Sequence, residues 1–284
     1  MDLRGNPAHW RAFGCSVRGA SHRRNKLPNQ DALSWHPETA RGAALTVAVA
    51  DGHGSAGCFR SDAGALLAVE VATRMLNGDS DETFPSATEW LPGRIAEAWR
   101  SAVDEHLERN PFSAQDLEKL KSRPGVAPAQ RARVAYGSTL LSVAVRPECI
   151  LYLQLGDGDI LLVSEEGQVS RPWPLDKRLL GVETTSLCSE NALQEMRVLV
   201  QDGAECRPEL VLLCTDGYAN SFRDDGGFLQ IGRDVLEMLR EDGIEGVERN
   251  LSGWLTEASE LGSGDDITLG GLWRTVEEPA GDVA

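Results

Sequence analysis

Four times in this 284-residue chain a short apolar run meets an acidic turn, and that recurrence constrains the fold more than any other feature. Leu45-Thr46-Val47-Ala48-Val49-Ala50 stops at Asp51-Gly52, and Ile150 to Leu155 stops at Gly156-Asp157-Gly158-Asp159. Glu209-Leu210-Val211-Leu212-Leu213-Cys214 stops just before Asp216-Gly217, and Asp265-Asp266 leads into a run from Ile267 to Trp273. Short apolar runs bounded by such turns read as buried strands. A single Asp-Gly is an ordinary turn. Several strands ending this way would gather carboxylates along one sheet edge, where they repel unless cations compensate. An all-oxygen donor set of that kind selects hard ions such as Mg²⁺ or Mn²⁺ over zinc. Asp31, following Pro28-Asn29-Gln30, is a candidate fifth member.

Between these runs the apolar period changes. Ala65, Leu66, Val69, Ala72 and Leu76 recur at helical spacing and predict a helix over Ser61 to Asn77, with Ser61-Asp62 as its cap. A second helical pattern covers Thr88 to Asn110, starting after Pro92 and closing at Asn110-Pro111. Phe112 to Arg133, with Pro124 and Pro128, reads as a surface connection or ragged helix. Ser138 to Val145, Ile150 to Leu155 and Ile160 to Val163 are closely spaced strands that predict an antiparallel meander. Ser170 to Arg207 reads as a flap-like excursion off the core. Two amphipathic helices, about Gly232 to Asp242 and Glu245 to Leu261, precede the last strand. Strands at both ends with helices between them predict one α+β domain over residues 1–276, with 277–284 as a loose tail.

With 28 basic and 44 acidic residues, the formal charge of −16 argues against affinity gained by neutralising nucleic-acid phosphates or anionic lipid. It suits cation binding. No basic-then-apolar segment opens the chain and no apolar run approaches membrane-spanning length. The six cysteines lack any Cys-x-x-Cys spacing, which fits buried thiols in a reducing compartment. The expectation is a soluble, cytoplasmic protein with no nucleic-acid or membrane partner, acting as a monomer.

Two hard cations bridged by a carboxylate can activate water and offset the charge on a transferring phosphoryl group. His53, two residues beyond Asp51, has two roles open to it: proton donor to a leaving oxygen, or turn histidine bonded to backbone. Arg23, Arg24 and Lys26 can each hold a substrate phosphate or lie solvated at the surface.

Taken in order, Pro28-Asn29-Gln30-Asp31-Ala32, Val49-Ala50-Asp51-Gly52-His53-Gly54, Gly137-Ser138-Thr139-Leu140, Leu155-Gly156-Asp157-Gly158-Asp159, Cys214-Thr215-Asp216-Gly217 and Gly264-Asp265-Asp266-Ile267-Thr268-Leu269 resemble the motifs of the metal-dependent Ser/Thr protein phosphatases of type 2C. The resemblance runs from about residue 14 to 273 and points to a bacterial-type, single-domain member. It implies a central antiparallel β-sandwich flanked by helices on both sides, with a binuclear Mg²⁺/Mn²⁺ centre at one end. On it, Asp51 would bridge both ions, Asp216 and Asp265 would complete the first site, and the Gly52 carbonyl, with Gln30 and Asp31 nearby, would serve the second. Asp157 falls at the position of a third, weaker ion, and His53 at that of the general acid. Asp266 stands where the family usually has asparagine. Two further departures are Gln30, in place of a glutamate, and Lys26, in place of a phosphate-binding arginine. The first offers an oxygen without charge and the second a point charge without a bidentate fork.

The resemblance implies hydrolysis of phosphoserine or phosphothreonine on a protein substrate, opposing a Ser/Thr kinase. A pseudophosphatase that binds phosphoproteins without turnover is the alternative, supported by Gln30 and Lys26 and opposed by retention of every first-site aspartate. A calcium-stabilised structural domain is excluded, since no acidic loop carries the alternating Asp/Asn spacing and terminal Glu of a calcium loop.

Overall fold

The computed structural model describes residues 9–77, 86–121, 128–176, 184–203 and 207–275. Its strands form two sheets. One has the order β3 (Arg41–Gly42), β1 (His9–Val17), β11 (Ile267–Thr275), β10 (Leu210–Cys214), β7 (Asp159–Val163), β8 (Val169–Ser170). The other has the order β2 (Ala32–His36), β4 (Leu45–Ala50), β5 (Leu140–Val145), β6 (Cys149–Leu155), β9 (Arg197–Asp202). Every strand pairing is antiparallel.

The strand period of two explains the layering. Val47 and Val49 of β4 point between the sheets, where they meet Trp10, Val143, Tyr152, Val211, Leu213 and Leu272. Ala48 and Ala50 point the other way, toward α2 (Ser61–Asn77) and α3 (Ala87–Arg109), whose Ala65, Val69, Ala72, Leu91 and Trp99 share their cluster. All six residues of β4 are therefore buried, which is why the run is continuously apolar and does not alternate. On the far side, α8 (Asp225–Leu261) lays Val235, Leu239, Val247, Leu251 and Leu255 against Phe13, Leu161, Leu210, Leu212 and Leu269. The result is a helix–sheet–sheet–helix sandwich, as expected. Among the described residues, no helix is long and apolar enough to cross a membrane.

Several local expectations change. The meander breaks after β6: β5 and β6 pair, but β7 crosses to the other sheet beside β10, with Asp159 opposite Cys214. Gly156 makes that crossing possible, since its φ is +113° and a Cβ there would lie 2.6 Å from Thr139. The stretch expected as a flap contains β9, which pairs with β6 from Gln154↔Arg197 to Cys149↔Asp202. No residue of β9 is fully buried, so it lacks the apolar run that marks an interior strand. The nine-residue β1 was not anticipated at all; Arg11, Gly14 and Ser16 interrupt its pattern, and its pairing with β11 comes from the far end of the chain.

Helix α3 begins at Ala87, ahead of Pro92 and not after it. The two C-terminal helices form one run broken at Gly243, whose φ of +68° no helical residue adopts. Phe112 to Arg133 contains α4 (Ala114–Lys121) and α5 (Pro128–Val134). The tail 277–284 lies outside the described residues.

Candidate active site

The crossing that puts β4 and β10 in opposite sheets brings their carboxyl ends to one mouth of the sandwich, together with the start of β11. At the end of β4, Asp51 is fixed by two bonds across to the residue before β5. Its N–H donates to Thr139 Oγ1 at 2.9 Å, and its carbonyl accepts the Thr139 N–H at 2.8 Å. Gly52 follows, its N–H donating to the Gln30 carbonyl at 3.1 Å. A Cβ at Gly52 would lie 2.5 Å from the Ser61 carbonyl oxygen and 2.6 Å from that of Gln30, so only glycine fits. Asp216 opens the short helix α7 (Asp216–Ala219) directly after β10, and Asn220 Nδ2 donates to its Oδ2 at 2.9 Å.

These side chains line a cavity of about 950 Å³ that also presents Asp157, Asp265, His53, Gln30 and the Gly52 backbone. Asp51, Asp157, Asp216, Asp265, Gly52, Gln30 and His53 thus share one lining. Asp31 is not on the lining. It is half-buried near Asp51, where it accepts the Thr215 hydroxyl at 2.8 Å. Asp159, the second aspartate of its turn, points away and pairs with Arg171.

Asp265 and Asp266 part company. The Asp265 side chain is 51% exposed and faces the cavity, whereas that of Asp266 is 3% exposed. Asp266 Oδ1 accepts the Gly19 N–H at 2.6 Å, and Oδ2 accepts the Gln30 N–H at 2.7 Å. That carboxylate ties the Gln30 loop to the start of β11.

The crowding of carboxylates shows in their proton affinities. Burial, with the charges of Asp31 and Asp216 added, pushes the Asp51 carboxyl well above its ordinary pKa. Burial also raises Asp31 well above the usual range. Asp216 is pushed up to about 6, first by burial and then by Asp157. Burial lowers His53, and nearby Asp157 pulls it part of the way back.

Such a set fits divalent cations on two counts. Its donors on the acidic side are oxygens whose mutual repulsion a cation would relieve. In addition, Gln30 is 8% exposed, spends its amide on Ser61 Oγ at 2.6 Å, and leaves Oε1 without a partner among the described residues. Buried polar atoms are rarely left so, and this one lines the cavity. Ser61, at the start of α2, is thereby the acceptor for Gln30.

The lining also includes Gln130, Thr184, Ser186, Cys188, Ser189 and Glu190. Thr184 Oγ1 donates to Asp157 Oδ1 at 2.8 Å. No lysine or arginine is on the cavity lining among the described residues. Arg23 commits its guanidinium to the Arg18 carbonyl at 2.6 Å and to Glu260 at 2.8 Å. Lys26 caps α1 (Ala20–Asn25) in a left-handed conformation, φ +58°, and both it and Arg24 are exposed. The structure therefore does not bring the three expected phosphate-binding cations to the cavity.

One lining residue escaped the sequence reading. His22, buried on α1, sits against Asp265 and Asp266. Nothing local marks it, because both partners lie more than 240 residues away.

A protein phosphatase 2C sequence profile matches residues 18–256, a span that stops short of Asp265. Comparison with curated proteins finds no match. Among solved structures, PppA from Pseudomonas aeruginosa is similar at 22% identity and a TM-score of 0.60, covering 94% of this chain and 98% of that one. The catalytic domain of the serine/threonine protein phosphatase PstP, in complex with two manganese ions, is similar at 19% identity and 0.57, covering 95% and 100%. Stp1 from Staphylococcus aureus follows at 13% and 0.55, covering 94% and 95%. The profile covers most of the chain, and these structures share its fold; the chain belongs to the protein phosphatase 2C family of phosphoprotein phosphatases.

Proposed function

We propose that this cavity hydrolyses phosphoserine or phosphothreonine on protein substrates at a pair of Mg²⁺ or Mn²⁺ ions. The observation that carries the reading is the convergence of Asp51, Asp216 and Asp265, from three strand ends, on one cavity with no lysine or arginine on its described lining. Asp51 would bridge the ions, Asp216 and Asp265 would complete the first site, and the Gly52 carbonyl with Gln30 Oε1 would face the second. Asp31 stands off the lining, and its charge adds to the upward push on the Asp51 carboxyl. Asp157 stands apart, available to a third, weaker ion once Thr184 releases it.

When bound, the ions supply an activated water and offset the charge of the phosphoryl oxygens. The protein's own part is positional and protolytic. The Thr139 and Gly52 backbone contacts hold Asp51 rigid. His53, its backbone N–H donating to the Gly137 carbonyl at 3.1 Å, hands a proton from its ring to the departing seryl or threonyl oxygen. Burial makes that proton easier to lose, and the charge of Asp157 opposes the loss. No covalent phosphoenzyme forms.

The test is turnover of a phosphothreonine peptide or p-nitrophenyl phosphate with Mn²⁺ by the wild type and by Asp216→Ala. The reading requires activity that depends on Mn²⁺ and is lost in the variant; undiminished turnover in Asp216→Ala sinks it.

A further inference from the structure

His22 is held on every side. The Ala20 N–H donates to Ser259 Oγ at 3.0 Å, Ser259 Oγ donates to the Asp265 carbonyl at 2.8 Å, and the Ser21 N–H donates to the Gly264 carbonyl at 2.8 Å. The start of α1 is thus pinned to the loop that carries Asp265. Within that frame, His22 Nδ1 faces two acceptors, Asp266 Oδ2 at 2.7 Å and the Pro28 carbonyl at 3.2 Å. Two acceptors assign the proton to Nδ1. Nε2 then points at the cavity, 3.4 Å from Asp265 Oδ1.

A lone-pair nitrogen and a carboxylate oxygen so placed repel unless a cation or proton lies between them. Two ligands adjacent on one octahedral ion lie about 3 Å apart, given metal–ligand bonds of roughly 2.1 Å, close to the separation seen. A histidine that ligates through one nitrogen and donates from the other to a carboxylate is the usual arrangement at metal sites. His22, Asp265 and Asp266 place one donor atom each within 4.8 Å of one another. Asp266 already accepts from Gly19, Gln30 and His22, so it anchors the ring and does not ligate. A second observation points to a ligand in this cavity: the buried, unpartnered Oε1 of Gln30.

We infer that His22 Nε2 is a nitrogen ligand which, with the Asp265 carboxylate, holds the cation of the first site, making that shell mixed nitrogen and oxygen. This rests on the metal-dependent reading above and deepens it. A nitrogen in the shell favours Mn²⁺, a better imidazole partner, over Mg²⁺, which takes oxygen and water.

The experiment is pulsed electron paramagnetic resonance on the Mn²⁺-loaded full chain, prepared with ¹⁴N- and with ¹⁵N-histidine. The expected spectrum shows a nitrogen coupling that follows the isotope, survives in His53→Asn and disappears in His22→Asn. Asparagine at 22 can keep a donor toward Asp266 while removing Nε2. Calorimetry on His22→Asn is expected to show Mn²⁺ affinity down by about tenfold or more, with a smaller loss for Mg²⁺. The isotope comparison needs no variant, so a folding failure in His22→Asn leaves the inference testable. Bound Mn²⁺ without histidine coupling in the wild type, or coupling retained in His22→Asn, overturns the role of His22 and leaves the phosphatase reading intact. A wild type that binds no Mn²⁺ overturns both.

Discussion

The aspartates at the cavity edge and those one layer beneath it share a side chain and differ in what completes it. At the edge, Asp216 receives a side-chain amide from Asn220, and Asp265 Oδ1 receives the neighbouring Asp266 N–H at 2.9 Å. Beneath, Asp266 accepts two backbone N–H groups and a histidine, Asp31 accepts a threonine hydroxyl, and Asp159 is paired with Arg171. The protein satisfies the deep set itself and leaves the edge set with oxygens to spare. Deep aspartates are part of the frame, and edge aspartates are the ones we propose as ligands.

The sharpest way to break that division is to remove one of each. Asp216→Asn is expected to cut Mn²⁺-dependent turnover about a thousandfold, the several kcal/mol that cation-centred charge stabilisation contributes. Asp266→Ala, measured by denaturant unfolding without metal, is expected to cost about 3 kcal/mol, because it strands buried N–H donors on two loops. If Asp266→Ala leaves stability untouched, the deep set is not a frame.

A pH series separates the two sets again. Burial first, and then the charge of Asp157, pushes the Asp216 carboxyl up to about 6 in the folded chain from an ordinary value of 3.8. Its carboxyl is thus bound more tightly to its proton when folded, so its contribution is complete below pH 3.8 and is lost as pH rises through about 6. Metal-free Asp216→Asn is expected to gain on the order of 2 kcal/mol over the wild type at pH 7.5 and much less at pH 4. Equal effects at the two pH values contradict the account. Among the edge groups, His53→Ala is expected to lower kcat about a hundredfold, and less with p-nitrophenyl phosphate, whose leaving group needs no proton. The smallest effect is at Lys26: with its side chain off the cavity lining, Lys26→Met is expected to change KM by less than about threefold.

Much of the edge was legible in the sequence because it is written locally. A buried strand in a sandwich covered on both faces needs a continuous apolar run, and the turn that ends it shows at once; Leu45 to Asp51 and Leu210 to Asp216 are of this kind. The deep layer was illegible for the converse reason. Asp266 differs from Asp265 only in which way the backbone turns it, and His22 depends on partners at the other end of the chain. β1 and β9 were missed on similar grounds, since one takes its pairing from β11 and the other is a half-exposed edge. Arg23 carried the charge expected of a phosphate ligand, but α1 turns it toward Glu260.

The bridging place of Asp51 is the centre of the account, and counting ions tests it most directly. Titration of the purified chain with Mn²⁺ by calorimetry is predicted to show two tight sites in the wild type and neither in Asp51→Ala, with circular dichroism unchanged. Retention of both sites in Asp51→Ala would contradict the bridge and, with it, the reading of the strand-end aspartates as one centre.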